Sequence, residues 1–297
     1  MECTISEQQS GKHLRDILKQ ELSLSQRVIQ KLKTHHRIYV NGKQVRTNTI
    51  VNAGDQLFLD MDFDEVHPGI VPEAHDLHIL FEDDMLLVLS KPANTVVHPT
   101  SLHMSGTLSN HVMHYFQTQN IKAKIRPVNR LDRDTTGVIL FAKKQFIQDA
   151  LTKQMRSGTF VKEYLGVVCG KIPMSSGTID FNIARAKGSI MLREVSENGD
   201  TAVTHYEVLE TTGNVAMMKF ILETGRTHQI RVHCLAAGFP LVGDGLYGRK
   251  KAYAIGRQAL HSWKSTIVHP ITKETLTFTA PIQEDITNAY RVLCDEG

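Results

Sequence analysis

A polar loop that runs without a break into an apolar stretch constrains this chain more than anything else in it. Pro127-Val128-Asn129-Arg130-Leu131-Asp132-Arg133-Asp134-Thr135-Thr136-Gly137 leads straight into Val138-Ile139-Leu140-Phe141-Ala142. The apolar run reads as a buried strand, so the polar segment before it is a loop delivered to the rim of a sheet, where functional groups concentrate. Asp132 and Asp134 alternate there with Arg130 and Arg133, and neighbouring guanidinium groups favour the ionised form of a carboxylate. Thr135, Thr136 and Gly137 are expected to hold a tight turn, through hydroxyl–backbone bonds and a glycine at positive φ. An ionised aspartate in such a loop is available as a nucleophile, although the same residues also describe a salt-bridged surface turn.

The rest of the chain divides by charge. Residues 11–60 carry nine Lys or Arg against four Asp or Glu, an excess of +5 in a chain whose total is +3, so an anionic partner is expected to bind locally. Leu14, Ile17, Leu18 and Leu22 recur at helical spacing, and Val28, Ile29 and Leu32 repeat the pattern among Arg27, Lys31 and Lys33. Arg37-Ile38-Tyr39-Val40 then reads as a strand closed by Asn41-Gly42, a strong hairpin signal. Residues 61–76 reverse the charge, with five acidic residues, no Lys or Arg, and Pro68, Gly69 and Pro72, and read as an extended, mobile linker. Three parts follow: a small module over 1–60, the linker over 61–76, and a larger domain over 77–297.

Within the larger domain, Thr107 is placed to cap a helix whose apolar side is Leu108, Val112, Tyr115 and Phe116. His111 and His114 on that helix have no third ligand beside them, and no metal is expected. Phe160–Val168 reads as a strand, and residues 177–224 as antiparallel strands, which fits a large mixed sheet. Gly225-Arg226-Thr227-His228-Gln229-Ile230-Arg231-Val232-His233 reads as a helix capped by Thr227 and ending near Gly238. The four cysteines are scattered, and nothing resembles a leader or a membrane span, so a soluble protein of a reducing cytoplasm is expected, with no coiled-coil stripe to pair it and a monomer anticipated.

The central loop resembles the signature of the large-subunit ribosomal RNA pseudouridine synthase family, His-Arg-Leu-Asp-x-x-Thr-Ser-Gly, with Asn129 in place of the His and Thr136 in place of the Ser. Lys91-Pro92-Ala93-Asn94 followed by Val97-His98-Pro99 is similar to the family's first motif, with Asn94 at the usual Gly. Lys162-Glu163-Tyr164 resembles its Lys-x-Tyr pattern, and Gly225–His233 its Gly-Arg-x-His-Gln-Ile-Arg-x-His motif. Gly243-Asp244-Gly245-Leu246-Tyr247-Gly248 extends the likeness. The N-terminal segment resembles the small RNA-binding module named after a ribosomal small-subunit protein.

The resemblance implies an α+β fold: a mixed, largely antiparallel sheet in the catalytic domain, with a small N-terminal α+β RNA-binding module. It implies an isomerase that converts uridine to pseudouridine in RNA without a cofactor. The expected substrate is large-subunit ribosomal RNA, with transfer RNA second. It makes Asp132 the nucleophile, Arg231 its bidentate ion partner, and Tyr164 a stacking platform for a flipped base or an aid in moving its C5 proton. Arg130 would fill the gap left by the base. Asn129, Arg226 and His228 would contact RNA beside it, and Arg27, Lys31 and Lys33 would contact phosphates. Two other readings stay open: a glycoside hydrolase using Asp132 with Asp134, and an RNA-binding relative that has lost activity, which Asn129 and Asn94 favour.

Overall fold

The apolar positions of the N-terminal module close on one small sheet. In the computed structural model, which describes residues 1–22, 24–61, 63, 69–100, 103–172, 175–248 and 255–295, β1 (Glu2–Thr4), β2 (Ile38–Val40), β3 (Lys43–Gln44) and β4 (Gln56–Leu59) pair in the order β1-β4-β2-β3. Asn41 and Gly42 both take positive φ, as the two-residue hairpin between β2 and β3 requires. Helix α1 (Leu14–Asp16) continues as a π-helical turn, Ile17–Glu21, and α2 (Gln26–Thr34) starts at Ser25, whose hydroxyl accepts the Val28 N–H.

The module does not hang free. Leu14, Ile17, Leu18, Leu32 and Leu59 are fully buried and share one core with Ile147 and Leu151 on α4 (Gln145–Ser157) and with Val138, Leu140 and Ala142 on the central strand. Each such side chain contributes about 1.5–3 kcal/mol relative to exposure, so the module is fixed against the larger domain. Of the segment expected to be a mobile linker, residues 62 and 64–68 lie outside the described residues, but the following stretch is docked. Ile70 is buried with Leu87, Leu89 and Val112, Asn110 Nδ2 donates to the Val71 carbonyl at 2.7 Å, and Glu73 accepts the Gly106 N–H at 2.8 Å. The acidic, Pro/Gly-rich composition concealed the apolar anchors at Met61, Phe63 and Ile70.

The larger domain is built on one nine-stranded sheet. Its strands are β5 (Ile79–Glu82), β6 (Leu86–Lys91), β7 (Thr136–Ala142), β8 (Val161–Cys169), β9 (Ser176–Asp180), β12 (Val203–Thr212), β13 (Val215–Leu222), β14 (Leu260–Val268) and β15 (Thr275–Thr279); β10 (Ile183–Arg185) and β11 (Arg193–Val195) pair separately. The order is β5-β6-β7-β14-β8-β13-β12-β9, with β15 on β14, and only β7 and β14 run parallel. It is the mixed, largely antiparallel sheet the sequence implied. On β8, Tyr164 and Val168 face α5 (Gln229–Ala236), whereas Val167 faces α6 (Glu284–Asp295). Helix α3 (Leu108–Thr118) begins at Thr107, whose side chain accepts the Asn110 N–H as a cap.

Gly137 shows why the loop ends as it does. It sits at φ 107°, and a Cβ there would lie 2.1 Å from the Ser262 carbonyl oxygen on β14. Only glycine allows β7 to begin so close to its parallel neighbour. Gly137→Ala is therefore expected to cost about 4 kcal/mol or more. Denaturant unfolding of the full chain checks this, and a loss under about 1 kcal/mol would contradict the close approach.

Candidate active site

The loop before β7 is held from beneath by two cations that donate to its carbonyls. The Lys91 side chain is fully buried and gives its three N–H groups to the carbonyl oxygens of Pro92, Thr95 and Arg133, at 2.7–2.8 Å. Burial pushes the Lys91 pKa down to about 7 against the pull of Asp134 and Asp132. Arg257 Nη1 donates to the Asp134 carbonyl at 2.9 Å. Asn94, in the first-motif turn, takes φ 54°, the left-handed conformation that asparagine tolerates. Thr135 N–H closes the turn onto the Asp132 carbonyl. The threonine hydroxyls do not bond their own backbone as expected: Gln258 Nε2 donates to Thr135, and Thr136 pairs with His261 Nδ1 at 2.7 Å. Both partners flank the start of β14, whose closeness could not be read from local spacing.

Above this base the sequence-nominated residues converge. Asn129, Arg130, Asp132, Tyr164, Arg226, His228 and Arg231 all line one cavity of about 540 Å³, a size suited to a small-molecule or nucleotide ligand. Asp134 is not among its lining residues and pairs instead with Arg133 at 3.0 Å, which removes the second carboxylate the glycosidase reading needs. Arg27 and Lys33 are exposed on α2, with Lys31 half-buried between them, outside this cavity.

Arg231 departs from expectation in an informative way. Its fork is bidentate to Asp244 rather than Asp132, with Nε and Nη2 each 2.8 Å from a carboxylate oxygen, and Asp132 Oδ2 receives a single bond from Nη1 at 3.1 Å. Asp244 is in turn fixed by the N–H groups of Leu246 and Tyr247, both at 3.1 Å. Burial alone would lower the Arg231 pKa, but the two carboxylates, Asp244 foremost, override it and raise it. Tyr247 completes the surround, with its ring 5.0 Å from the guanidinium.

His228, not Thr227, is the residue that starts α5. It adopts φ 59°, and its Nδ1 meets the Tyr247 hydroxyl at 2.8 Å. Its Nε2 lies 3.9 Å from Asp132 Oδ2, and burial lowers its pKa. Asn129 turns inward: its Oδ1 accepts the Leu140 N–H at 2.9 Å and its Nδ2 donates to the Val138 carbonyl. The residue that differs from the family histidine thus braces the loop against β7. Tyr164 is buried, and burial raises its pKa to about 12, so the phenol is neutral near pH 7. Arg130 is exposed beside the cavity, and Arg226 Nε donates to the Thr201 carbonyl at 2.9 Å.

Sequence reasoning passed over the role of Asp244, although an Asp between two glycines beside an aromatic was visible. It also missed Lys162, Arg156 and Tyr247. Asp244→Asn is expected to strand the buried Arg231 and to cost about 3–5 kcal/mol, far more than Asp132→Asn at its half-exposed position. Thermal unfolding of the two variants side by side measures the difference, and equal losses would remove Asp244 as the principal counter-charge.

Comparison with known proteins agrees with this geometry. A family model for RNA pseudouridylate synthase matches residues 85–236, and one for the N-terminal domain of RluD ribosomal pseudouridine synthase matches residues 1–57. The chain is 40% identical over 293 residues to an RNA pseudouridine synthase of Bacillus subtilis, covering 98% of this chain and 96% of that one. It is 34% identical over 281 residues to ribosomal large subunit pseudouridine synthase D of Buchnera aphidicola, covering 88% of each. Human RNA pseudouridylate synthase domain containing 1 is similar in structure, with a TM-score of 0.58 at 26% identity over 73% of this chain and 86% of that one. With both of its parts matched and its nominated residues gathered around one cavity, the chain belongs to the RNA pseudouridylate synthase family and is an isomerase that forms pseudouridine in RNA.

Proposed function

We propose that Asp132 is the nucleophile of this reaction and that its substrate is large-subunit ribosomal RNA. The observation that carries the reading is the Asp132 carboxylate, held by one Arg231 N–H and lining the same cavity as Tyr164. Pseudouridine formation breaks the bond between uracil N1 and ribose C1′, joins C5 to that carbon, and moves one proton from C5 to N1. Every atom is conserved, and no oxidant or energy source enters. What the protein supplies is an oxygen nucleophile, an orienting cation, and room for a base taken out of its stack. Asp132 attacks the nucleoside, at ribose C1′ or at the uracil ring, while Arg231 fixes its orientation. The neutral Tyr164 phenol stacks on the base, and Arg130 fills the space the base leaves.

The N-terminal module supports an RNA anchor. Lys31 lies near Arg126, Arg27 and Arg37, and burial together with these like charges lowers its pKa. Arg126, whose pKa burial and Arg27 bring down to about 10, stands at the entry to the active-site loop. α2 carries Arg27, Lys31 and Lys33 and no acidic residue, a basic helix to which a polyanion is drawn. Relatives named ribosomal large subunit pseudouridine synthase D, at 34–39% identity, favour ribosomal over transfer RNA.

Carbodiimide labelling of cellular RNA, with and without the protein, tests the substrate; sites confined to transfer RNA would overturn that assignment. Asp132→Asn is expected to lower turnover by at least about a thousandfold while RNA affinity stays within a few fold. Retained turnover would remove Asp132 from the role. Tyr164→Phe should bind RNA like the native chain, whereas Tyr164→Ala should weaken binding by about 1–3 kcal/mol through lost stacking.

A further inference from the structure

Five cations are buried among the described residues, and four of them are matched inside the protein. Lys91 meets three carbonyls, Arg126 meets Gln145 and two carbonyls, Lys143 meets Glu82 at 2.7 Å and the Asp83 carbonyl, and Arg231 meets two carboxylates. Lys162 is the fifth. It is only 8% exposed, it lines the cavity that holds Asp132, and among the described residues no hydrogen bond or ion pair reaches its ammonium. Its Nζ lies against the loop at Gly225, where an added Cβ would come within 3.4 Å of it.

An ammonium drawn into a largely buried site without a counter-charge is costly, and burial depresses the Lys162 pKa with no carboxylate opposing it. The Lys162 stem is buried while its ammonium opens on the cavity, so a counter-charge can reach it from the cavity side. Lys162 and Tyr164 stand two apart on β8 and face the same side, about 7 Å apart along the strand. Beyond Lys162 lies Arg226, next to Gly225, and Arg156 lines the same cavity from α4. The acidic and aromatic groups thus take the base and its sugar carbon, while the cationic group one pleat away is left for an anion attached to that nucleoside.

We propose that Lys162 is a phosphate-binding residue, whose ammonium takes a phosphodiester oxygen at the flipped uridine and so positions the nucleotide against Tyr164. The inference rests on the reading that this cavity receives a flipped nucleoside. It assigns the unmatched charge to the RNA backbone rather than to the uracil ring.

Lys162→Met and Lys162→Arg, in the full chain, test it with an unmodified large-subunit ribosomal RNA transcript as probe and binding measured across a potassium chloride series. Lys162→Met is expected to raise Kd about tenfold or more. It should also reduce the slope of log affinity against log salt by about 0.7–0.9, the share of one phosphate contact. Lys162→Arg should restore most of both. In turnover the loss should fall on KM rather than kcat. Because Met removes an uncompensated charge while keeping the apolar stem, Lys162→Met should also leave Tm unchanged or raise it.

Loss of kcat with Kd and salt slope unchanged would instead place the ammonium on charge developing in the uracil ring, and a lowered Tm would make Lys162 a strut; either result overturns the proposal. Binding is read without turnover. A chain whose Asp132→Asn variant still isomerises uridine would therefore sink the nucleophile assignment, while the Lys162 salt slope would still report on the phosphate contact.

Discussion

The site depends on how one buried guanidinium is divided between two carboxylates. Had Arg231 only Asp132 to face, its desolvation would have to be offset by that aspartate alone, in a fork that occupies both carboxylate oxygens. Asp244 changes the arithmetic. It takes two of the Arg231 N–H groups and is itself tied to the backbone at Leu246 and Tyr247, so Arg231 is neutralised before Asp132 is reached. Asp132 then receives one N–H at 3.1 Å. Its orientation is fixed, and lone pairs remain free for the cavity. The trio carries one positive and two negative charges, and the surplus negative charge sits at the open end.

The same economy of contacts fixes the loop that carries Asp132. Lys91 and Arg257 donate to carbonyl oxygens of Arg133 and Asp134, and Asn129 bridges the loop's start to β7 on the other side. None of these bonds uses the Asp132 side chain. The loop is held by its backbone, which leaves its functional group unencumbered. Because α4 packs against both the central strand and the N-terminal module, this rigid base extends to the module that carries the basic helix α2.

Most of the local architecture was legible in the sequence, because it is set by neighbours close in the chain. The Asn41-Gly42 hairpin, the Thr107 cap, the buried β7 run and the left-handed Asn94 each follow from a few adjacent residues. The co-location of Asp132, Tyr164 and Arg231 came through resemblance, not periodicity. What stayed hidden were pairings whose partners lie far apart. Nothing local says that Thr136 will meet His261, or that Arg231 will prefer Asp244 to Asp132. Thr227 looked like a better helix cap than His228 by residue type, yet His228 holds that position, at φ 59° and with its Nδ1 against the Tyr247 hydroxyl. Ile70 was overlooked because the acids and prolines around it dominate any compositional reading.

The isolation of Lys162 could not be read from sequence at all, since a lysine on a strand is ordinarily assumed to reach solvent or a carboxylate. Its meaning comes from contrast with the other buried cations of the same fold, all of which are matched. Natural folds rarely leave an ionised group largely buried and unpaired, and such a group in a cavity is a candidate for completion by a ligand. Lys162 and the surplus negative charge of the Asp132–Arg231–Asp244 group line the same cavity. A nucleotide joins an anionic phosphodiester to an electron-poor glycosidic carbon. On the proposal that Lys162 takes the phosphodiester, a nucleotide held there has its sugar and base directed toward Asp132. Preorganised charge of that kind orients a ligand without reorganisation at the moment of reaction.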